Sequence, residues 1–179
     1  MNKYVALFRG LNVGGHNKIT MVDLKAMLER ADCQKVTTYI QSGNAVFLHA
    51  QERDEIETHL EAAFEKQFGY QVDIVVRTKD ELENIAAAYP FSSDERNLSY
   101  MMTGFARHPI AENASAILEQ VAVDGEFVQV DPQQIHFYFG NGSGRSKLGA
   151  LNFSKKIGAP ITMRNRRTVQ KLLEMINAL

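Results

Sequence analysis

Apolar residues in this chain switch between strand-like and helix-like spacing, and they do so in the same order twice. A strand alternates its side chains with period two, or is apolar throughout when both faces are buried, whereas a helix shows a stripe at i, i+3 and i+4. In the first pass Lys3 to Arg9 reads as a strand, because Tyr4-Val5-Ala6-Leu7-Phe8 is apolar throughout. Met21, Leu24, Leu28 and Ala31 then mark a helix with Thr20 as its N-cap. Val36 to Ile40 and Ala45 to Leu48 read as strands joined by Gln41-Ser42-Gly43-Asn44, a turn by its glycine and asparagine. Ile56, Leu60, Ala63, Phe64 and Phe68 give an amphipathic helix stopped by Gly69. Val72 to Val76 is the next strand, and Thr78 with Glu81 forms a capping box for a helix that ends before Pro90.

The second pass repeats that order. Tyr100 to Phe105 is a strand; Ala114, Ile117, Leu118 and Val121 mark a helix; Glu126 to Val130 and Ile135 to Phe139 are strands flanking the Asp131-Pro132-Gln133-Gln134 turn. Leu148, Leu151 and Ile157 suggest a helix closed by Gly158, Ile161 to Met163 a short strand, and Val169, Leu172, Leu173 and Ile176 a last helix capped near Asn165. Each half therefore reads βαββαβ followed by a helix, the order of a ferredoxin-like unit. The expectation is an α+β fold of two ferredoxin-like halves, residues 1–94 and 95–179, packed as a pseudo-duplicated unit with its boundary in the Ser92-Ser93-Asp94-Glu95-Arg96 loop. No residue-level repeat accompanies the order.

At 179 residues and 45% hydrophobic, the chain has enough apolar surface for a substantial core. No apolar run approaches the roughly 18–20 residues that cross a bilayer, and a strand pattern begins at once where a signal peptide would have its basic and apolar regions. The expectation is a cytoplasmic protein that does not enter membranes. One cysteine, Cys33, has no disulfide partner and no companion at zinc spacing, so it reads as a buried or idle thiol. The five histidines show no ligand spacing either, so neither a metal nor another cofactor is expected.

A net charge of −1 excludes a globally basic nucleic-acid binder, yet it conceals an asymmetry. Residues 52–65 hold Glu52, Asp54, Glu55, Glu57, Glu61 and Glu65 against Arg53, which reads as the solvated face of a helix. From Gln133 to Leu173 there is no carboxylate, while Arg145, Lys147, Lys155, Lys156, Arg164, Arg166, Arg167 and Lys171 all fall there. Such a stretch attracts phosphates or acidic partners, or serves as a solubilising surface.

Glycine-rich segments supply the candidate sites. Gly10 to Gly15 joins a strand to the Thr20 helix, and can either gather N–H groups around an anion with help from Arg9 and Lys18, or be a tight crossover in which Asn12 bonds to the backbone. Neither the G-x-G-x-x-G nor the P-loop pattern is present. Gln41 to Asn44 reads as turn chemistry. Gly140-Asn-Gly-Ser-Gly-Arg-Ser-Lys147 combines three glycines, two hydroxyls and two cations ahead of an expected helix N-terminus, the parts of a phosphate cradle or of an ordinary loop. Arg164 and Asn165 place a cation and an amide at the start of the last helix.

The working hypothesis is therefore that Arg145, Ser146, Lys147, Arg164 and Asn165 hold the phosphate of a small molecule or nucleotide, with Arg9, Asn12, Gly14, Gly15 and Lys18 adding contacts. Evidence for catalysis is thinner: no nucleophile–base set or carboxylate pair identifies itself, and His16 is the histidine to test as an acid or base. An RNA-binding module ranks second, because no RNP-type run accompanies the basic stretch. A structural protein that binds protein partners is the third reading. Ligand, turnover and oligomeric state are not written in the residues.

Four blocks, Arg9 to Met21, Thr38 to Phe47, Gly142 to Leu148 and Thr162 to Leu172, closely resemble the bacterial DUF1697 family. The resemblance implies paired ferredoxin-like units, in agreement with the element order, and implies no reaction, since the family has no established function. Where the family usually has tryptophan after an Arg-Asn pair, this chain has Arg166.

Overall fold

A computed structural model describes residues 1–13, 18–91 and 98–179. The first elements are β1 (Asn2–Phe8), α1 (Met21–Arg30), β2 (Gln34–Tyr39), β3 (Asn44–His49), α2 (Arg53–Phe68), β4 (Ile74–Thr78) and α3 (Lys79–Ala87). The same order returns in β5 (Met101–Ala106), α4 (Ala114–Glu119), β6 (Glu126–Asp131), β7 (Gln134–Phe139), α5 (Phe153–Ile157), β8 (Ile161–Asn165) and α6 (Arg166–Asn177). Two compact units result, Met1–Asn84 with Lys171–Leu179, and Ile85–Gln170, so the divisions fall inside α3 and α6. Gly14, Gly15 and His16, and the 92–96 loop, lie outside the described residues.

The first unit is a four-stranded sheet in the order β2-β3-β1-β4, every pair antiparallel. The two central strands are the most apolar, as a strand buried on both faces must be. Tyr4, Ala6, Phe8, Ala45 and Phe47 share one sheet face and pack with Leu24, Met27 and Leu28 of α1 and Ile56, Leu60 and Phe64 of α2. Local chemistry sets the helix ends. Thr20 Oγ1 accepts the Asp23 N–H at 3.0 Å, and Gly69 takes φ 80° to stop α2. The capping box forms reciprocally, Thr78 N–H donating to Glu81 at 2.8 Å and Glu81 N–H to Thr78 at 3.1 Å.

The second unit repeats the topology as β6-β7-β5-β8, again antiparallel. Its helix-facing core contains Ala106, Ile135, Phe137, Phe139 and Ile161 with Leu118, Leu148 and Phe153. The chain is thus an α+β protein with two similar halves of ferredoxin-like arrangement. No helix among the described residues is long and apolar enough to cross a membrane.

One expected helix is much shorter than its spacing suggested. Leu148 and Leu151 precede α5, which spans five residues from Phe153, because Asn152 Oδ1 accepts the Lys155 N–H at 3.1 Å and starts the helix there. The glycine-rich segment therefore runs into a 3-10 turn over Ser143–Arg145 and not into a helix N-terminus. Leu148 still reaches the core, from irregular backbone.

Candidate functional site

The segment following β7 is held together by its own backbone. Gly140 N–H donates to Gly125 O, Gly142 N–H to Phe139 O, Ser146 N–H to Ser143 O and Ala150 N–H to Ser146 O, all at 2.9–3.2 Å. Two glycines are required here by close approach: a Cβ on Gly140 would lie 2.5 Å from Gly125 O, and one on Gly149 would lie 2.5 Å from Ser143 O. Ser146 is buried and its Oγ accepts the Gly149 N–H at 3.0 Å. The chain folded this way exposes Arg145 and Lys147 on either side of a buried serine. Lys155 and Lys156 are also exposed, and among the described residues no carboxylate pairs with any of these four cations.

Arg164 and Asn165 belong to the same unit but are differently placed. Arg164 lies on β8 opposite Thr103 and is 7% exposed, its Nη1 donating to Thr162 Oγ1 and Met163 O, both at 2.8 Å. Burial pulls its guanidinium down to about 10, which still leaves it charged at neutral pH. Asn165 Oδ1 accepts the Thr168 N–H at 2.8 Å and so caps α6.

The remaining expected residues lie in the first unit. Arg9 forms a 2.7 Å ion pair with Asp73 and lines a groove of about 420 Å³ with Glu61 and Glu65. Asn12, at φ 57°, clasps the loop: Nδ2 donates to Ile19 O and Gln41 O at 3.0 and 2.8 Å, and Oδ1 accepts the Ile19 N–H at 2.7 Å. Lys18 is exposed. The Gln41 turn held by Asn12 contains Ile40 at φ 48°, a β-branched residue in the left-handed region, and Gly43, whose Cβ would meet Leu11 Cδ2 at 2.7 Å. Cys33 is buried, and burial pushes its thiol up to about 12, so it is inert as the sequence suggested. Among the described residues no group of three His, Cys, Asp or Glu side chains is arranged for a metal ion.

Two features of the second unit escaped sequence reasoning. On the sheet face away from the helices, Thr103 and His136 sit opposite one another with Oγ1 and Nδ1 3.3 Å apart. His136 is fully buried; burial, outweighing the nearby Asp131, pulls it down to about 4, so it is neutral at pH 7. Its Nε2 stands 3.9 Å from Asp131 Oδ2, and neither atom has a hydrogen-bond partner. Tyr138 shares that face, flanked along β7 by Phe137 and Phe139, which point into the helix-side core. Period-two alternation along Phe137-Tyr138-Phe139 held the signal. Tyr138 adjoins Phe91, Phe127 and Tyr100 at centroid distances of 6.3, 6.3 and 6.4 Å.

This arrangement defines a class of protein by architecture: paired ferredoxin-like sheets with a basic loop and an aromatic face on the second. The chain belongs to the family described as protein of unknown function (DUF1697), whose model matches residues 1–136. Over 98% of both chains it is similar to the solved structure of a conserved bacterial protein, SP0830 from Streptococcus pneumoniae, with TM-score 0.78 and 23% identity, a likeness of fold. A crystal structure of an unknown protein from Galdieria sulphuraria covers 92% of this chain and 98% of its own at 14% identity, with TM-score 0.27, too low to bear on the fold. No curated protein matches the chain.

Proposed function

We propose that the second unit binds the phosphate of a phosphorylated small molecule or nucleotide on the surface formed by the 143–156 segment. The observation that carries this reading is the set Arg145, Lys147, Lys155 and Lys156, four exposed cations without an ion pair among the described residues, in a stretch lacking carboxylates from Gln133 to Leu173. Uncompensated positive charge raises the local concentration of anions, and an arginine offers a fork to phosphate oxygens. In this reading Arg145 and Lys147 contact the phosphate. Ser146 and Asn165 act as positioning groups, because their oxygens are committed to Gly149 and Thr168. Arg164 contributes its field from a buried place. Arg9, Asn12 and Lys18 would serve a separate contact of the first unit.

The test is thermal unfolding and calorimetric titration with pyrophosphate, sugar phosphates and nucleotides at fixed salt, on the parent and on R145E/K147E. A ligand at 100 times its Kd adds about 2.7 kcal/mol, enough to move the midpoint by several degrees. Loss of the shift in the charge-reversed variant, with its own midpoint unchanged, is the expected result. A flat panel for the parent would sink the proposal.

A further inference from the structure

Building on that phosphate-binding reading, we infer that the ligand is an unpaired nucleic-acid strand whose bases lie along an aromatic strip of the second unit. Tyr89 and Phe91 are 5.5 Å apart between ring centroids, Phe91 lies 6.1 Å from Phe127 and 6.3 Å from Tyr138, and Tyr138 lies 6.4 Å from Tyr100. Phe127 stands on the edge strand β6 and is 46% exposed, a large apolar ring facing water.

A cation marks one end of this strip, and the basic segment begins beside the other. At one end the Arg166 guanidinium sits 4.8 Å over the Tyr89 ring, held by a 2.7 Å hydrogen bond from Nη1 to Ala86 O. At the other, Tyr100 comes within 3.7 Å of where a Gly142 Cβ would stand, three residues before Arg145. Rings between two sources of positive charge suit a ligand that alternates planar bases with phosphates. Stacking on side chains needs bases freed from pairing, which selects a single strand over a duplex. Successive rings engage more than one base, which selects a strand over a mononucleotide. Arg166 thus supplies charge next to an aromatic ring, as a cation over the Tyr89 face.

Fluorescence anisotropy with a labelled oligothymidylate of roughly eight nucleotides, within the usual site size of such surfaces, tests the inference. Competitors are an abasic strand of the same length, thymidine monophosphate and inorganic polyphosphate. Substituting Phe127→Ala is expected to weaken binding about tenfold, the scale of one lost stacking contact, and removing all the bases to weaken it further. R145E/K147E should weaken the oligomer, the abasic strand and polyphosphate alike. Equal affinity for the normal and abasic strands would overturn the strip while leaving phosphate binding intact. Equal affinity for the mononucleotide and the oligomer would overturn the strand. Absence of binding by every probe, polyphosphate included, would remove both readings together.

Discussion

The two sheets carry the same strand order, and each buries an arginine at the fourth position of its last strand, Arg77 opposite Val5 and Arg164 opposite Thr103. Beyond the arginine they part. In the first sheet the row continues through Val5 and Val46; in the second the matching places hold Thr103 and His136. Burial lowers the affinity of both arginines for a proton. In the first sheet the carboxylates of Glu81, Glu57 and Asp54 oppose that lowering. Turns differ in the opposite sense: β2–β3 is strained at Ile40, whereas β6–β7 turns on an Asp-Pro sequence suited to its geometry. A topology can thus be duplicated while polarity and strain are redistributed, because register constrains which positions face each other but not what occupies them.

The largest effect is expected where the second unit depends on close backbone approach. Gly140→Ala drives a Cβ against Gly125 O and should cost about 3 kcal/mol in urea unfolding, the upper range for overpacking. Gly144→Ala, with nothing within 4 Å of its Cβ, should change stability by less than about 0.5 kcal/mol and serves as the control. Equal costs would show that the loop tolerates rearrangement.

The polar row can be broken by giving the second sheet the first sheet's residue. His136 has its affinity for protons lowered by folding, from 6.5 to about 4. The unfolded chain therefore binds the proton first, and stability present above pH 6.5 is lost progressively as pH falls towards 4. Between pH 6.5 and 5 this amounts to about 2 kcal/mol, at about 1.4 kcal/mol per pH unit. His136→Val should abolish that part of the acid sensitivity; an unchanged slope between the two proteins would show that other groups carry it.

The smallest effect tests the strained turn. Ile40 is 47% exposed, so Ile40→Gly gives up little packing while relieving a left-handed β-branched residue. Stability should rise by about 1 kcal/mol. A loss would mean that the isoleucine side chain makes contacts that outweigh the strain.

Element order, caps and the inert thiol were legible from the residues alone. Thr20, Gly69, the Thr78–Glu81 pair and Asn165 act within one helical turn of themselves, so their roles are local and survive in the fold unchanged. The 148–157 region misled for the same reason: Leu148, Leu151 and Ile157 keep helical spacing, but Asn152 stops the helix from reaching back and packing draws Leu148 inward from a loop. The candidate site was half legible. Its exposed cations follow from composition. The commitment of Ser146 and Asn165 is to backbone N–H groups three residues on, whereas the need for Gly140 and Gly149 depends on where other parts of the chain pass.

By itself the sequence determined the alternation of elements, the helix starts at Thr20, Thr78 and Asn165, and the concentration of positive charge, because each is set by residues a few positions apart. Only tertiary structure decided that Arg77, Arg164 and His136 are buried, and that Tyr138 joins Phe91, Phe127 and Tyr100 rather than the core. Those outcomes come from pairing between strands far apart in the chain, which alone fixes the face each side chain occupies and how much water it keeps.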